Sequence, residues 1–390
     1  MENKIVIKEI VKISGKKAVI VTDPNPFHPA GGGQPGDTGI LKSADFYADV
    51  TDCQTENGKN FLYIKVNKGE LVEELVVEAE VNLERQWLLS RMHSGEHVLS
   101  KILENSHPGL HIYKVAVETD STTVYLHYPN ELTWEILFHA EEEGNKVIEA
   151  DLPVSVCVKS YEEAREIKGL KANWDRIGEN DAVRIVSIPD FDIIACSGTH
   201  VYRTSEIGGV HVEGFKGRYP EWEFRFTVHR NQKLKEESYA IRKLLREIGC
   251  PIEKLESVFK RLQQENKTLL KGIDSLREFV AFPWEEAAVK EFPLFFYHGA
   301  NIPVEVASAS VSRKIKEMDA SLCLFITSAD GGSQFFLGAG ESVSLDVAAF
   351  VRNNKILGIR GGGRKDWVSG RTQKDNLDLW VKELQLYFEA

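Results

Sequence analysis

Four side chains of this sequence could hold a single metal ion. His93 and His97 stand four residues apart in RMHSGEHVLSK (91–101), and Cys196 and His200 stand four apart in Cys196-Ser197-Gly198-Thr199-His200. Imidazole and thiolate suit Zn2+, which takes four such donors tetrahedrally. Residues four apart on a helix share a face, so both imidazoles of the first pair can reach one ion. One His pair alone fits a surface or packed core position equally well; two pairs of matched spacing favour a shared site. Glu96, beside His97, is a candidate general base. A solvated helix glutamate is the alternative reading of the same residue.

These residues need elements to position them. Asn82 to Asn105 has no proline and is rich in Leu, Glu and Arg, which predicts a helix carrying His93 and His97. FDIIACSGTH places Cys196 and His200 at the end of a strand, in a glycine-containing turn. Ahead of the helix, residues 1 to about 80 read as β-rich, with KIVIKEI and KKAVIVTD forming a hairpin about Ser14-Gly15. Asp23 to Gly39 then brings Phe27, His28, the triplet Gly31, Gly32 and Gly33, and the polar Gln34, Asp37 and Thr38. Glycines let backbone approach a ligand closely, so this reads as a recognition loop and not a plain turn. No Gly-Lys-Ser/Thr follows, so it is not a P-loop. Strands alternating with helices from about 110 to 200 indicate a mixed α+β core.

The chain has 390 residues, 42% hydrophobic and 27% charged, enough for two or three domains with sizeable cores. No apolar run is long enough for a membrane span, and the first residues do not read as a signal peptide. Five scattered cysteines make no disulfide framework, which points to a reducing cytoplasm. The net charge of −11 argues against binding nucleic acid over the whole surface. Local basic stretches remain. Residues 213 to 235 interleave six Lys and Arg with aromatics such as Trp222, Phe224 and Phe226, which an ordinary amphipathic strand would also do. Between Arg352 and Lys374 seven basic residues face one acid, and Arg360, Arg364, Lys365 and Arg371 surround a second glycine triplet. Guanidinium forks beside bare backbone N–H groups suit a phosphodiester backbone.

From about 234 to 280 the period changes. Ile241, Ile248, Leu255, Leu262, Leu269 and Leu276 recur every seven residues, with Leu245, Ile252, Phe259, Asn266, Ile273 and Val280 in the other seam position. A coiled-coil dimer and an antiparallel helical hairpin both satisfy this pattern.

The motifs His93-Ser94-Gly95-Glu96-His97 and Cys196-Ser197-Gly198-Thr199-His200 resemble the HxxxH and CxGTH motifs of the alanyl-tRNA synthetase editing domain and of its freestanding relatives, the alanyl-tRNA editing (AlaX) proteins. The glycine-rich stretch from Phe27 to Gly39 is similar to that family's motif in the β-barrel preceding the editing domain. The basic, glycine-rich C-terminal segment is similar to the synthetase's terminal domain. Where the family often carries a polar Gln-x-Gly-Ser run, this chain has Lys114-Val115-Ala116-Val117. The resemblance implies an α+β protein. It would comprise a small β-barrel-like domain at 1–80, an editing domain with a zinc site at 81–232, a heptad helical dimerisation segment at 233–285 and a C-terminal α/β tRNA-binding domain at 286–390.

The resemblance further implies a Zn2+-containing homodimer that deacylates tRNA(Ala) carrying a wrong amino acid, serine or else glycine. His93, His97, Cys196 and His200 would be metal ligands, and Glu96 and Gln34 catalytic. Gly31, Gly32, Gly33, Asp37, Thr38 and Thr199 would bind substrate, and Arg360, Arg364, Lys365 and Arg371 would bind tRNA. Two other readings compete. HSGEH fits the H-x-x-E-H zinc-protease motif, and a zinc-stabilised dimeric RNA-binding protein without turnover needs the same features.

Overall fold

Gly15 and Lys16 turn β1 (Lys4–Ser14) back onto β2 (Lys17–Asp23), one residue past the Ser14-Gly15 expected from the sequence. This opens a computed structural model that describes residues 4–277, 279–329 and 331–389. With β3 (Gly39–Lys42), β4 (Tyr47–Glu56), β5 (Lys59–Lys68) and β6 (Val76–Val81) the strands close a barrel in the order β1-β2-β5-β4-β3-β6. Strand alternation turns Ile5, Ile7, Ile20, Leu41, Val50, Leu62, Ile64 and Val77 into its interior. Gly39–Lys42, too short and polar to stand out in the sequence, is the strand that completes closure against β4 and β6.

β6 runs straight into α1 (Leu83–Ser106), whose N-cap Asn82 accepts from the Arg85 N–H at 3.0 Å. From Leu89 onward this helix is a core element despite its polar sequence: Ser90, His93, Ser94, Glu96, His97 and Ser100 are buried together with Leu89, Met92, Val98, Leu99 and Leu103. It packs with α2 (Trp134–Glu149). One sheet, in the order β12-β13-β8-β7, is built from β7 (His111–Val117), β8 (Thr122–His127), β12 (His211–Arg218) and β13 (Glu221–Thr227). A second, β11-β10-β9, is built from β9 (Ser155–Lys159), β10 (Val183–Ile188) and β11 (Asp192–Ala195), with the short α3 (Tyr161–Arg165) between β9 and β10. The aromatic–basic stretch 213–235 divides as an amphipathic strand does. Phe224 and Phe226 are core residues, while Lys216 pairs with Glu223, and Arg225 and Lys233 pair with Glu213.

The chain divides into two units, Met1–Lys243 and Leu244–Ala390, and the division falls within α4 (Arg230–Ile248). The heptad pattern does not run on one helix. Gly249, in the left-handed region at φ +73°, and Pro251 end α4, and a new helix, α5 (Leu255–Leu276), begins in the second unit. Its seam residues Phe259, Leu262, Leu269 and Leu276 are exposed.

The second unit is a three-layer α/β sandwich. Its sheet, β14-β15-β16-β17-β19-β18, comprises β14 (Glu285–Val289), β15 (Phe292–Ala300), β16 (Leu322–Ala329), β17 (Gly332–Ala339), β18 (Arg360–Arg364) and β19 (Trp367–Thr372). β15 and β16 are parallel, joined through α6 (Val304–Glu317), whose Ala307 and Val311 cover Phe295, Cys323 and Phe325. α7 (Val347–Asn353) and α8 (Leu377–Glu389) cover the other face through Phe350, Trp380, Leu384 and Phe388. The glycine triplet 361–363 is not a loop. It forms β18, the sheet's edge strand, because three residues without side chains lie flat against β19 and a two-residue turn joins them.

Candidate metal centre

Between the barrel and the core of the first unit, His93, His97, Cys196 and His200 converge, each offering one donor atom, all within 4.8 Å of one another. The Cys196 Sγ lies 3.3 Å from His93 Nε2 and 3.4 Å from His200 Nε2. The three imidazole rings pack with centroids 4.6 to 5.1 Å apart. A tetrahedral zinc with bonds of about 2.3 Å to sulfur and 2.0–2.1 Å to nitrogen sets an S···N edge of roughly 3.5 Å. The donor set therefore fits such an ion in type and in spacing. Its electrostatics fit as well. Burial lowers His93 to about 3 and holds His97 and His200 well below the ordinary histidine value, so all three present neutral rings. Burial also pushes the Cys196 thiol up to about 11, so a thiolate there needs a cation beside it.

The surrounding groups hold the donors. Ser94, one turn before His97, places its hydroxyl 3.2 Å from His200 Nδ1 and accepts from the Val201 N–H at 3.2 Å. Arg184, on β10, donates through Nη1 to the carbonyls of Cys196 at 2.9 Å and Gly198 at 2.7 Å, clamping the turn that carries both second-pair donors. Gly198 must be glycine, since a Cβ there would collide with the His93 ring. Sequence reasoning singled out neither Ser94 nor Arg184. The signal for Ser94 was its place on the same helical face as the two histidines; an arginine in a β-branched run such as VRIV was the signal for the other.

The glycine-rich loop reaches the cluster. Gly32 sits at φ +61°, and a Cβ on it would lie 2.9 Å from His93 Cε1 and 3.3 Å from Cys196 Sγ. Gly31 exchanges backbone hydrogen bonds with Gln34, and Gly33 accepts from the Val117 N–H at 2.9 Å. Gln34 is buried, its Oε1 3.0 Å from His93 Nδ1 and its Nε2 donating to Thr199 Oγ1 at 2.8 Å. Asp37 and Thr38 lie elsewhere. The Asp37 carboxylate accepts from the His28 N–H and from Gln86 at the joint of barrel and α1, and Thr38 lines an open groove of the barrel with Asp49 and Glu80. Glu96 is not solvated. It is 5% exposed, accepts from the Ser100 hydroxyl, lies 3.7 Å from His97 Nε2, and burial raises its carboxyl to about 7. Beside His97, His200 and Ser94 is a small cavity of about 10 Å3, walled by Val154, Val186, Ile188, Ile194 and Ile207, with Asp192 at its edge. Trp87 and Tyr202, one on α1 and one just past His200, form an exposed ring pair with centroids 6.4 Å apart.

In the second unit Arg360, Arg364, Lys365 and Arg371 are all exposed on or beside the β18–β19 hairpin, and the Arg364 guanidinium lies 3.4 Å from Asp366.

Residues 183–222 match the family described as the threonyl and alanyl tRNA synthetase second additional domain, and residues 2–85 match the class II (A) tRNA synthetases. These two segments are therefore similar to parts of class II tRNA synthetases. It is 32% identical over 216 residues to the alanyl-tRNA editing protein AlaX-L of Pyrococcus horikoshii, covering 53% of this chain and 50% of that protein. It is 30% identical over 382 residues to the alanine–tRNA ligase of Pyrobaculum calidifontis, covering 92% of this chain and 40% of the ligase. These matches make it AlaX-like by sequence kinship. The chain spans half the length of the editing protein and two-fifths of the ligase it matches. Among solved structures, the C-Ala domain of Aquifex aeolicus alanyl-tRNA synthetase pairs with 27% of this chain and 99% of that domain, at 18% identity and a TM-score of 0.26. No helix among the described residues is long and apolar enough to cross a membrane.

Proposed function

We propose that this protein deacylates mischarged tRNA(Ala), cleaving the ester that links serine, or secondarily glycine, to the terminal ribose, at a site that holds Zn2+. The observation that carries this reading is the convergence of three neutral imidazoles and one thiol within 4.8 Å, in a chain akin to AlaX-L. Zinc bound there would supply Lewis acidity, for orienting the acyl-adenosine end or for lowering the pKa of a water. His93, His97, Cys196 and His200 would hold it. Glu96 takes a proton from the attacking water; its carboxyl, raised by burial to about 7, is matched to that task near neutral pH. The cavity beside His97 and His200, mostly apolar with the Ser94 hydroxyl and Asp192 as polar points, has room for about one water. Trp87 and Tyr202 give the unpaired 3′ nucleotides a surface to stack on. Arg360, Arg364, Lys365 and Arg371 bind the tRNA backbone.

The test is hydrolysis of Ser-tRNA(Ala) beside Ala-tRNA(Ala), with and without a chelator. Fast, chelator-sensitive loss of serine with alanine spared is the expected result. One observation favours a second reading: four protein donors close a zinc coordination sphere, as in structural sites. A metal-stabilised tRNA-binding protein would retain tight binding and turn over neither ester.

A further inference from the structure

We infer that Gln34, Thr199 and Ser90 form a hydrogen-bond relay that fixes His93 with its proton on Nδ1, making the three of them positioning residues for the metal centre. The inference rests on the metal reading of the cluster. Its logic begins with a backbone group. The Thr199 N–H can only donate, and it donates to Gln34 Oε1 at 3.0 Å, which settles which end of the amide is oxygen. That oxygen also lies 3.0 Å from His93 Nδ1. An amide oxygen has no proton to give, so the ring nitrogen is the donor. A neutral imidazole carries one such proton, which leaves Nε2 bare where it lies 3.3 Å from the Cys196 sulfur.

The other end is settled the same way. Gln34 Nε2 donates to Thr199 Oγ1 at 2.8 Å. Ser90 Oγ lies 2.6 Å from Thr199 Oγ1 and 2.8 Å from the Gln86 carbonyl. The Ser90 hydroxyl is the donor in both contacts, shared between Thr199 Oγ1 and the Gln86 carbonyl, so it ties Thr199 to the helix. The network therefore joins the His93 ring to the barrel loop and the Cys196–His200 turn, and Ser90 anchors that turn to the helix that carries His93. Gln34 and Ser90 are both 4% exposed, so water is a poor replacement for any lost partner. Metal-bound histidines need this kind of support on the far ring nitrogen. Gln34 on this account acts through His93 and does not touch the reacting ester.

The experiment measures zinc affinity of the full chain by competition with a chromophoric chelator, and the electronic spectrum of the Co2+ form. Gln34→Leu and Thr199→Val are expected to weaken zinc by roughly 10–100-fold and to alter the cobalt bands. Ser90→Ala should weaken it less, and Thr199→Ser, which keeps the hydroxyl, should restore affinity. Wild-type affinity and an unchanged cobalt spectrum in Gln34→Leu overturn the relay while leaving the metal reading intact. If Gln34→Leu does not fold, equal affinity in Thr199→Val and Thr199→Ser overturns it instead. A wild-type chain that takes up no zinc or cobalt removes the metal reading, and the relay with it.

Discussion

The two glycine triplets look alike in the sequence and do opposite things in the molecule. Gly31 to Gly33 make a tight turn, with Gly32 and Gly33 at φ +61° and +81°; Gly32 is pressed against His93 and Cys196, Gly31 against Ser197 and Gly33 against Val115. Gly361 to Gly363 are an extended, exposed edge strand paired with β19 on one side only. In the first triplet glycine is demanded by conformation and by the space the metal cluster occupies. In the second the middle glycine meets nothing within 4 Å, so what glycine provides there is bare backbone. Its neighbours Gly361 and Gly363 are packed, since a Cβ on either would collide with the β19 backbone at Ser369 or Trp367, so only the middle position of the second triplet is open.

The largest expected effect breaks the first triplet. Gly32→Ala forces an alanine into the left-handed region and sets a methyl 2.9 Å from His93 Cε1. The left-handed backbone alone costs about 1–2 kcal/mol, and displacement of His93 adds to it. We expect a lower melting temperature, and zinc affinity reduced by at least about 10-fold, as for a disturbed supporting shell. Unchanged chelator competition in this variant would detach the glycine loop from the metal centre.

In rate, as distinct from stability and metal affinity, the largest effect is expected of Glu96→Gln. If Glu96 is the base, it must be ionised to work, so kcat/KM rises with pH as its proton is lost. Burial places that step near 7, and a cation in the neighbouring cluster would draw it lower, so the rising limb falls at or below neutrality. The glutamine variant should lose about 10²–10⁴-fold in rate together with that limb. A variant that keeps the limb assigns it to another group.

Much of the site could be read from the sequence because its signals are local. Spacings of four, a proline-free helix and a strand-ending turn placed His93, His97, Cys196 and His200 on the right kinds of element. The environment of those residues could not be read that way. Glu96 reads as a solvated helix residue and is buried, because α1 is wrapped by the sheet and α2 in contacts that are distant in sequence. Asp37 reads as a pocket residue and instead joins the barrel to α1, through Gln86, forty-nine residues away. The heptad repeat keeps its register through Gly249 and Pro251, but the backbone does not stay helical there. The strand β18 was hidden because glycines have poor strand propensity, and only pairing with β19 makes the segment extended.

Smaller effects probe the second triplet. Arg360→Ala and Arg371→Ala remove exposed charges that sit opposite one another in the β18–β19 register. Each should weaken tRNA binding a few-fold and reduce the slope of log affinity against log salt by about one, with no change in zinc content. A salt slope that does not move in either variant, nor in the double variant, would take the hairpin out of the tRNA interface.

The smallest effect comes from Gly362→Ala, and it bears most directly on the comparison. The strand is extended at this position and a Cβ has open space, so the methyl creates no clash. Replacing glycine in a strand removes freedom from the unfolded chain, so stability should stay level or rise by up to about 1 kcal/mol. The methyl does stand where a ligand backbone would approach the unpaired edge. If phosphates lie against the bare strand, tRNA affinity falls by a few-fold at unchanged melting temperature, and the triplet is an access feature. If affinity is unchanged, the guanidinium groups alone make the contact, and glycine at 362 answers to nothing but the flatness of the hairpin.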